Sequence, residues 1–130
     1  MPTQTILVVD DLATLRQPVR LTLERAGYAV EEASNGEEAL FKIAESRPAL
    51  VLLDLMMPTM NGIEVLKHMQ ANALLRQIPV IVLTAVADRA QFRRQTQMQK
   101  VDYLLKPFTS HTLLERVRRA LDQEMAGVTE

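Results

Sequence analysis

The stretch 49-ALVLLD-54 places five apolar residues in a row and ends them on a single carboxylate, Asp54. Five apolar side chains in succession leave no polar face, so a strand with this sequence must be covered on both sides. Such cover is typical of a central strand in a parallel sheet with helices on both faces. The stretch therefore predicts an α/β fold with Asp54 at the carboxyl end of a central strand.

Four further strands are predicted along the chain, and each alternates with a helical pattern. They are Thr5–Val9, Tyr28–Ala33, Pro79–Thr84 and Val101–Leu105. A helix follows each of the five strands, with apolar residues three and four positions apart, and the fourth helix begins near Asp88. Alternating strands and amphipathic helices imply right-handed crossovers, so we expect one parallel sheet between two helical layers.

Composition limits the class of protein. The chain has 130 residues, so we expect one domain over 1–130, with a core over about 5–125 and no output domain. The net charge of −1 gives no general attraction to nucleic acid. Apolar runs reach only five or six residues, far below the roughly 20 of a membrane span, and no signal peptide is evident. We therefore expect a cytoplasmic protein that binds no membrane.

Charged and hydroxyl side chains stand at the carboxyl ends of the predicted strands. They are Asp10, Asp11, Asp54, Thr84 and Lys106. Ligands of open α/β sheets bind beyond these ends, so the five side chains should meet at one rim. Adjacent carboxylates repel one another unless a cation joins them, and oxygen ligands without histidine or cysteine favour Mg²⁺. Since a carboxylate can form an acyl phosphate, the set predicts phosphoryl transfer to an aspartate.

Four motifs carry a resemblance to a known family. They are 8-VVDD-11, 53-LDLMMPTMNG-62, 82-VLTA-85 and 102-DYLLKPF-108. Together, and in this order, they resemble the response-regulator receiver domain of two-component signalling, a flavodoxin-like family that includes the chemotaxis regulator. The resemblance covers roughly residues 5–125. It implies a (βα)5 three-layer sandwich whose five parallel strands have the order 2-1-3-4-5.

The resemblance also implies how a phosphoryl group and a metal ion are held. Asp54 would be the phosphoacceptor. Asp10, Asp11 and Asp54, with the main-chain carbonyl of Met56, would bind Mg²⁺. The domain would catalyse only its own phosphorylation and dephosphorylation, so it would not be an enzyme that acts on other substrates.

Three more residues receive roles from the same resemblance. Lys106, joined to Pro107 by a cis peptide bond, would pair with the phosphoryl group. Thr84 would move toward a phosphoryl oxygen on activation, and Tyr103 would turn inward behind it. The pair Thr84 and Tyr103 would thus form the switch.

Two apolar residues bear on the lifetime of the phosphorylated state. In the family, the residues two beyond the acceptor and two beyond the switch threonine flank the phosphoryl group. Here these residues are Met56 and Val86, and neither can orient an attacking water. We therefore expect slow self-dephosphorylation.

The partners that the resemblance implies are proteins. A histidine kinase or a histidine phosphotransfer protein would supply the phosphoryl group. A downstream protein would bind the face formed by the fourth predicted helix, the fifth strand and the last helix. No direct contact with nucleic acid is expected, and the domain would be a monomer or a phosphorylation-dependent dimer.

Four alternatives stay open at this point. A phosphohydrolase with an aspartyl-phosphate intermediate commonly has a second aspartate two residues after the nucleophile, where this chain has Met56. A flavin- or nucleotide-binding module would need a glycine-rich loop after the first strand, and residues 10–13 read DDLA instead. The chain could also be a pseudo-receiver that only binds proteins. Lastly, it could be one receiver cut from a larger regulator or hybrid kinase.

Overall fold

Five short strands form the centre of the molecule. The computed structural model describes residues 3–55, 62–84 and 101–129, with side chains described as far as residue 122. The strands are β1 (Thr5–Val9), β2 (Ala29–Ala33), β3 (Leu50–Asp54), β4 (Val80–Thr84) and β5 (Val101–Leu105). All neighbouring pairs are parallel, and the order is β2-β1-β3-β4-β5, which confirms the predicted topology.

Helices lie between the strands, as the alternating pattern predicts. Those in the described ranges are α1 (Ala13–Arg25), α2 (Gly36–Ser46), α3 (Gly62–Gln70), the 3₁₀ turn Leu75–Gln77 and α4 (Ser110–Thr129). The predicted helix that begins near Asp88 lies outside the described residues. None of the helices in the described ranges is long and apolar enough to cross a membrane.

The sheet buries apolar side chains on both faces, as the continuous run in β3 requires. Along β3 the side chains alternate between the faces. Val51 and Leu53 join one cluster, to which α2 and α3 contribute. Leu50 and Leu52 join a second cluster, to which α1 and α4 contribute. The result is the predicted three-layer arrangement, in which the carboxyl ends of the strands are left accessible as one rim.

Two apolar residues at the start of α1 are exposed although they share helical spacing with a buried one. Leu12, Leu15 and Leu23 are the residues concerned. Leu23 is fully buried, but the side chains of Leu12 and Leu15 are about half exposed. A helix that follows a strand begins beyond the end of that strand, so its first turn lies beside the rim and not against the sheet. Apolar side chains therefore stand next to the acidic residues.

Candidate functional site

The three aspartates come together at the rim, as the sequence predicts. Each of Asp10, Asp11 and Asp54 offers a carboxylate oxygen, and these oxygens lie within 4.8 Å of one another. They meet because β1 and β3 are adjacent and parallel, so that the residues at their carboxyl ends reach the same edge. Asp10 and Asp54 are buried, and Asp11 is the most exposed of the three. The site is therefore a partly enclosed acidic pocket in which the carboxylate of Asp11 is the most accessible to solvent.

Burial raises the pKa of the Asp10 carboxyl above its ordinary value. The negative charge of Asp54 raises this pKa further, and a side-chain hydrogen bond with Asp11 acts in the same sense. The main-chain N–H of Leu12, which donates to Asp10 Oδ1 at 3.1 Å, and the positive charge of Lys106 both lower it. The net rise means that the folded protein disfavours a negative charge on Asp10. A bound cation would reverse that preference.

Lys106 brings a positive charge to the same rim. Its Nζ lies 3.4 Å from Asp54 Oδ1, and its side chain is about one-third exposed. The main-chain N–H of Lys106 donates to the carbonyl of Thr84 at 2.8 Å, which holds the end of β5 against the end of β4. The bond to Pro107 is cis, as predicted. The ammonium thus sits beside the proposed acceptor carboxylate with one side toward solvent.

The two predicted switch residues lie on neighbouring strands. Thr84 ends β4 and is buried, with 2% of its surface exposed. Tyr103 lies in β5 opposite Val82 of β4, and its partly buried ring packs against the cluster on the α2 and α3 face. Thr84 at the rim and Tyr103 in the edge strand β5 therefore lie on two adjacent, hydrogen-bonded strands.

Some of the predicted residues cannot be placed. Met56, whose main-chain carbonyl is the predicted fourth ligand, lies outside the described residues. The same holds for Val86, the second residue expected to flank the phosphoryl group. Their roles stay predictions from the sequence.

Gly62 shapes the site in a way that the sequence did not reveal. Its N–H donates to the carbonyl of Leu55 at 2.9 Å. A Cβ atom added at Gly62 would lie 2.8 Å from the carbonyl oxygen of Asp54 and 2.9 Å from Cα of Leu55. Real Cβ atoms do not approach backbone so closely, so only glycine fits. A glycine soon after a strand-end aspartate is the one signal that could have indicated this contact.

Gly62→Ala should lower the free energy of unfolding by about 2 kcal/mol and also weaken Mg²⁺ binding, because the backbone of Asp54 and Leu55 must shift. Chemical denaturation and calorimetric titration with Mg²⁺ measure the two effects. Gly27→Ala is the control: Gly27 has φ of +99°, but nothing lies within 4 Å of its added Cβ. That variant should lose about 1 kcal/mol of stability and keep its Mg²⁺ affinity. A Gly62→Ala protein as stable as wild type would show that the backbone of Asp54 and Leu55 leaves space for a Cβ atom at this position.

Arg16 is a second residue that sequence reasoning missed. Its side chain contacts both Glu32 of β2 and the main-chain carbonyl of Asp10. An arginine in the first turns of an amphipathic helix usually reads as a solvated surface residue, so the sequence carried no signal for this contact.

Comparison with known proteins assigns the family. The family model described as "Response regulator receiver domain" matches residues 6–118. The transcriptional regulatory protein ResD of Bacillus subtilis is 41% identical over 116 residues, which are 89% of this chain and 47% of that protein. The chain spans about half the length of the curated relatives it matches.

Solved structures agree with the sequence comparison. The chemotaxis response regulator CheY4 of Vibrio cholerae matches with a TM-score of 0.84 and 33% identity, covering 92% of this chain and all of that one. The receiver domain of the sensor histidine kinase PA1611 of Pseudomonas aeruginosa matches with a TM-score of 0.83 and 28% identity, covering 93% and 99%. That structure has a magnesium ion coordinated in its active-site cleft. Fold, motifs and relatives agree, and the chain belongs to the response regulator receiver domain family of two-component systems.

Proposed function

We propose that the Asp54 carboxylate accepts a phosphoryl group, with Mg²⁺ held by Asp10, Asp11, Asp54 and the main-chain carbonyl of Met56. Two distances in the site support this proposal. Three carboxylate oxygens lie within 4.8 Å of one another, and the Lys106 ammonium lies 3.4 Å from Asp54. The likeness to a receiver domain that contains magnesium in its cleft gives further support.

The donor set fits Mg²⁺ on chemical grounds. The three side chains offer only hard oxygen atoms, which this ion prefers. Mg²⁺ binds few protein ligands and keeps open positions for water and phosphate oxygens. Asp11, the most exposed of the three aspartates, is the ligand most accessible to solvent. When bound, the ion would supply positive charge to the carboxylates and to the phosphoryl oxygens.

The transfer itself needs little movement of protons. The bond from phosphorus to the histidine nitrogen of the donor breaks as the bond from phosphorus to the Asp54 oxygen forms. The Lys106 ammonium lies beside that oxygen and would stabilise charge on a phosphoryl oxygen. Thr84, at the end of the adjacent strand β4, would donate a hydrogen bond from its hydroxyl to a second phosphoryl oxygen. The chain thus acts only on itself, and not on other substrates.

The switch rests on the coupling of β4 to β5. We propose that the hydroxyl of Thr84 moves toward the phosphoryl group and that Tyr103 then turns inward. Tyr103 is already partly buried beside β4, so the motion needs a change of packing and not of fold. The surface that includes β5 and the last helix, α4, would change when Tyr103 turns inward, and a downstream protein would bind this surface.

The remaining partner assignments rest on the family. A histidine kinase or a histidine phosphotransfer protein would supply the phosphoryl group in the cytoplasm. Some relatives are named DNA-binding response regulators and are about twice as long as this chain, so a DNA contact of those proteins would lie in the part that this chain does not span. We propose that residues 5–125 form one receiver domain that contacts proteins and not nucleic acid, as a monomer or a phosphorylation-dependent dimer.

Labelled phosphotransfer tests the donor class. A histidine phosphotransfer protein carrying a ³²P-phosphoryl group should pass its label to the wild-type chain and not to Asp54→Ala. Repeated turnover of a small phosphate ester such as p-nitrophenyl phosphate would instead indicate a phosphohydrolase.

The phosphorylated state should be long-lived, because Met56 and Val86 cannot orient an attacking water. Met56→Asn or Val86→Glu introduces a side chain that can orient the attacking water by a hydrogen bond, so each should shorten the lifetime, by about tenfold for one hydrogen bond worth roughly 1.4 kcal/mol in the transition state. Decay of the phosphorylated protein after removal of the donor measures this. An unchanged lifetime in both variants would contradict the assignment.

A further inference from the structure

Arg16 links the acidic pocket to the neighbouring strand. Its Nε lies 3.0 Å from Oε1 of Glu32 in β2, and its Nη1 donates to the main-chain carbonyl of Asp10 at 2.5 Å. The side chain of Arg16 is mostly buried, with 14% of it exposed. An arginine fork can hold two acceptors in fixed directions, which a flexible lysine cannot do.

The carbonyl that Arg16 binds belongs to the peptide group between Asp10 and Asp11. The carbonyl of Asp10 and the N–H of Asp11 form one rigid plane, which joins two of the proposed magnesium ligands. On the preceding side, the N–H of Asp10 donates to the carbonyl of Ala33 at 3.1 Å. Both main-chain groups of Asp10 are thus held, one by β2 and the other by Arg16.

Glu32 is itself fixed by other contacts. Nη1 of Arg20 lies 2.6 Å from its second carboxylate oxygen, Oε2. Its main-chain carbonyl accepts a hydrogen bond from the ammonium of Lys42. The anchor for Arg16 therefore sits in a network attached to β2, and not on a freely moving side chain.

We infer that Arg16, anchored by Glu32, is a positioning residue that orients the peptide group between Asp10 and Asp11 for Mg²⁺ binding. The inference rests on the proposed function, because it assumes that these carboxylates bind the ion. Groups that orient metal ligands commonly change affinity by tenfold or more when they are removed. Arg16 would act through main-chain geometry and would not touch the ion.

Simple electrostatics predicts the opposite result, which makes the inference testable. Removing a cation near an acidic pocket makes the pocket more negative, so charge alone predicts equal or tighter Mg²⁺ binding. A positioning role predicts weaker binding. Arg20 provides a matched control, because it contacts the same carboxylate of Glu32 and its loss leaves both contacts of Arg16 in place. Its side chain is also more exposed, at 44%, and Arg20 lies one turn further from Asp10.

The experiment measures the Kd for Mg²⁺ by calorimetric titration of the full chain and four variants. We expect Arg16→Gln and Arg16→Lys to weaken binding by about tenfold, and Arg20→Gln to stay within about twofold. The Arg16→Lys variant keeps the charge, so it separates geometry from electrostatics. Val117→Ala, a buried position on α4, tests whether lost stability alone weakens binding.

A spectroscopic readout accompanies the titration. The amide ¹⁵N of Asp11 shares its peptide group with the carbonyl that Arg16 binds, so its chemical shift should move in metal-free Arg16→Lys and not in Arg20→Gln. Unchanged Mg²⁺ affinity in both Arg16 variants, or equal losses in Arg20→Gln or Val117→Ala, would overturn the inference. A wild-type chain that binds no Mg²⁺ would instead overturn the proposed function, and the inference with it.

Discussion

Lys106→Met should lower the rate of Asp54 phosphorylation by about a hundredfold, the usual effect of losing one group that stabilises charge in a transition state. The Lys106 ammonium lies 3.4 Å from Asp54, so it is placed to stabilise the phosphoryl oxygens during transfer. The same substitution removes a positive charge from the pocket, so Mg²⁺ should bind as tightly as before or more tightly. The rate with acetyl phosphate at saturating Mg²⁺ measures the first effect.

Lys67→Met is the matched control for this prediction. The side chain of Lys67 is exposed in the last turn of α3, and among the described residues it belongs neither to the acidic pocket nor to the network of Arg16 and Glu32. Its phosphorylation rate should stay within about twofold of the wild-type rate, as for surface changes away from a site. A Lys106→Met rate close to that of the control would contradict the role given to this ammonium.

Asp10→Asn should stabilise the metal-free protein at neutral pH and also remove most of its stabilisation by Mg²⁺. Folding raises the pKa of Asp10, so the folded state holds the proton more tightly than the unfolded chain does. The stability from this group is fully present below the ordinary pKa of an aspartate and is lost as the pH rises through the raised pKa. The asparagine cannot ionise and keeps an oxygen for the N–H of Leu12, so it should avoid that loss.

The expected gain at pH 7 is on the order of 1 kcal/mol, because burial disfavours the charge on Asp10 and the charge of Asp54 adds to that effect. Urea denaturation at pH 7, with and without Mg²⁺, measures both effects, and repetition near pH 4 should show the two proteins converging. Asp122→Asn, an exposed carboxylate on α4, should change neither quantity. A metal-free Asp10→Asn protein that is less stable than wild type at pH 7 would contradict the prediction that a negative charge on Asp10 destabilises the folded protein.

Much of the site follows from the sequence because strand ends are easy to locate. The continuous apolar run before Asp54 predicted a central parallel strand, and parallel topology brings Asp10, Asp54 and Lys106 to one rim. These placements depend only on where each strand ends. The family motifs then assigned roles to the residues that the topology had already brought together.

Other features depend on three-dimensional packing that the periodicity of apolar residues does not encode. The contact of Arg16 with Glu32 joins residues 16 positions apart, and it forms only because α1 packs beside β2. Gly62 is needed because the chain returns onto the backbone of Leu55. Leu12 and Leu15 share the helical spacing of the buried Leu23 but are about half exposed, because periodicity gives a face of the helix and not the extent of the sheet that covers it.

The most direct test of the account is the intact mass of the protein after incubation with acetyl phosphate and Mg²⁺. We predict that wild type gains the mass of one phosphoryl group, and that Asp54→Ala with Mg²⁺ and wild type without Mg²⁺ gain none. An equal gain in Asp54→Ala would contradict the assignment of the acceptor. No gain in wild type, either with acetyl phosphate or with a phosphohistidine donor protein, would show that the chain is a pseudo-receiver and would contradict the central claim.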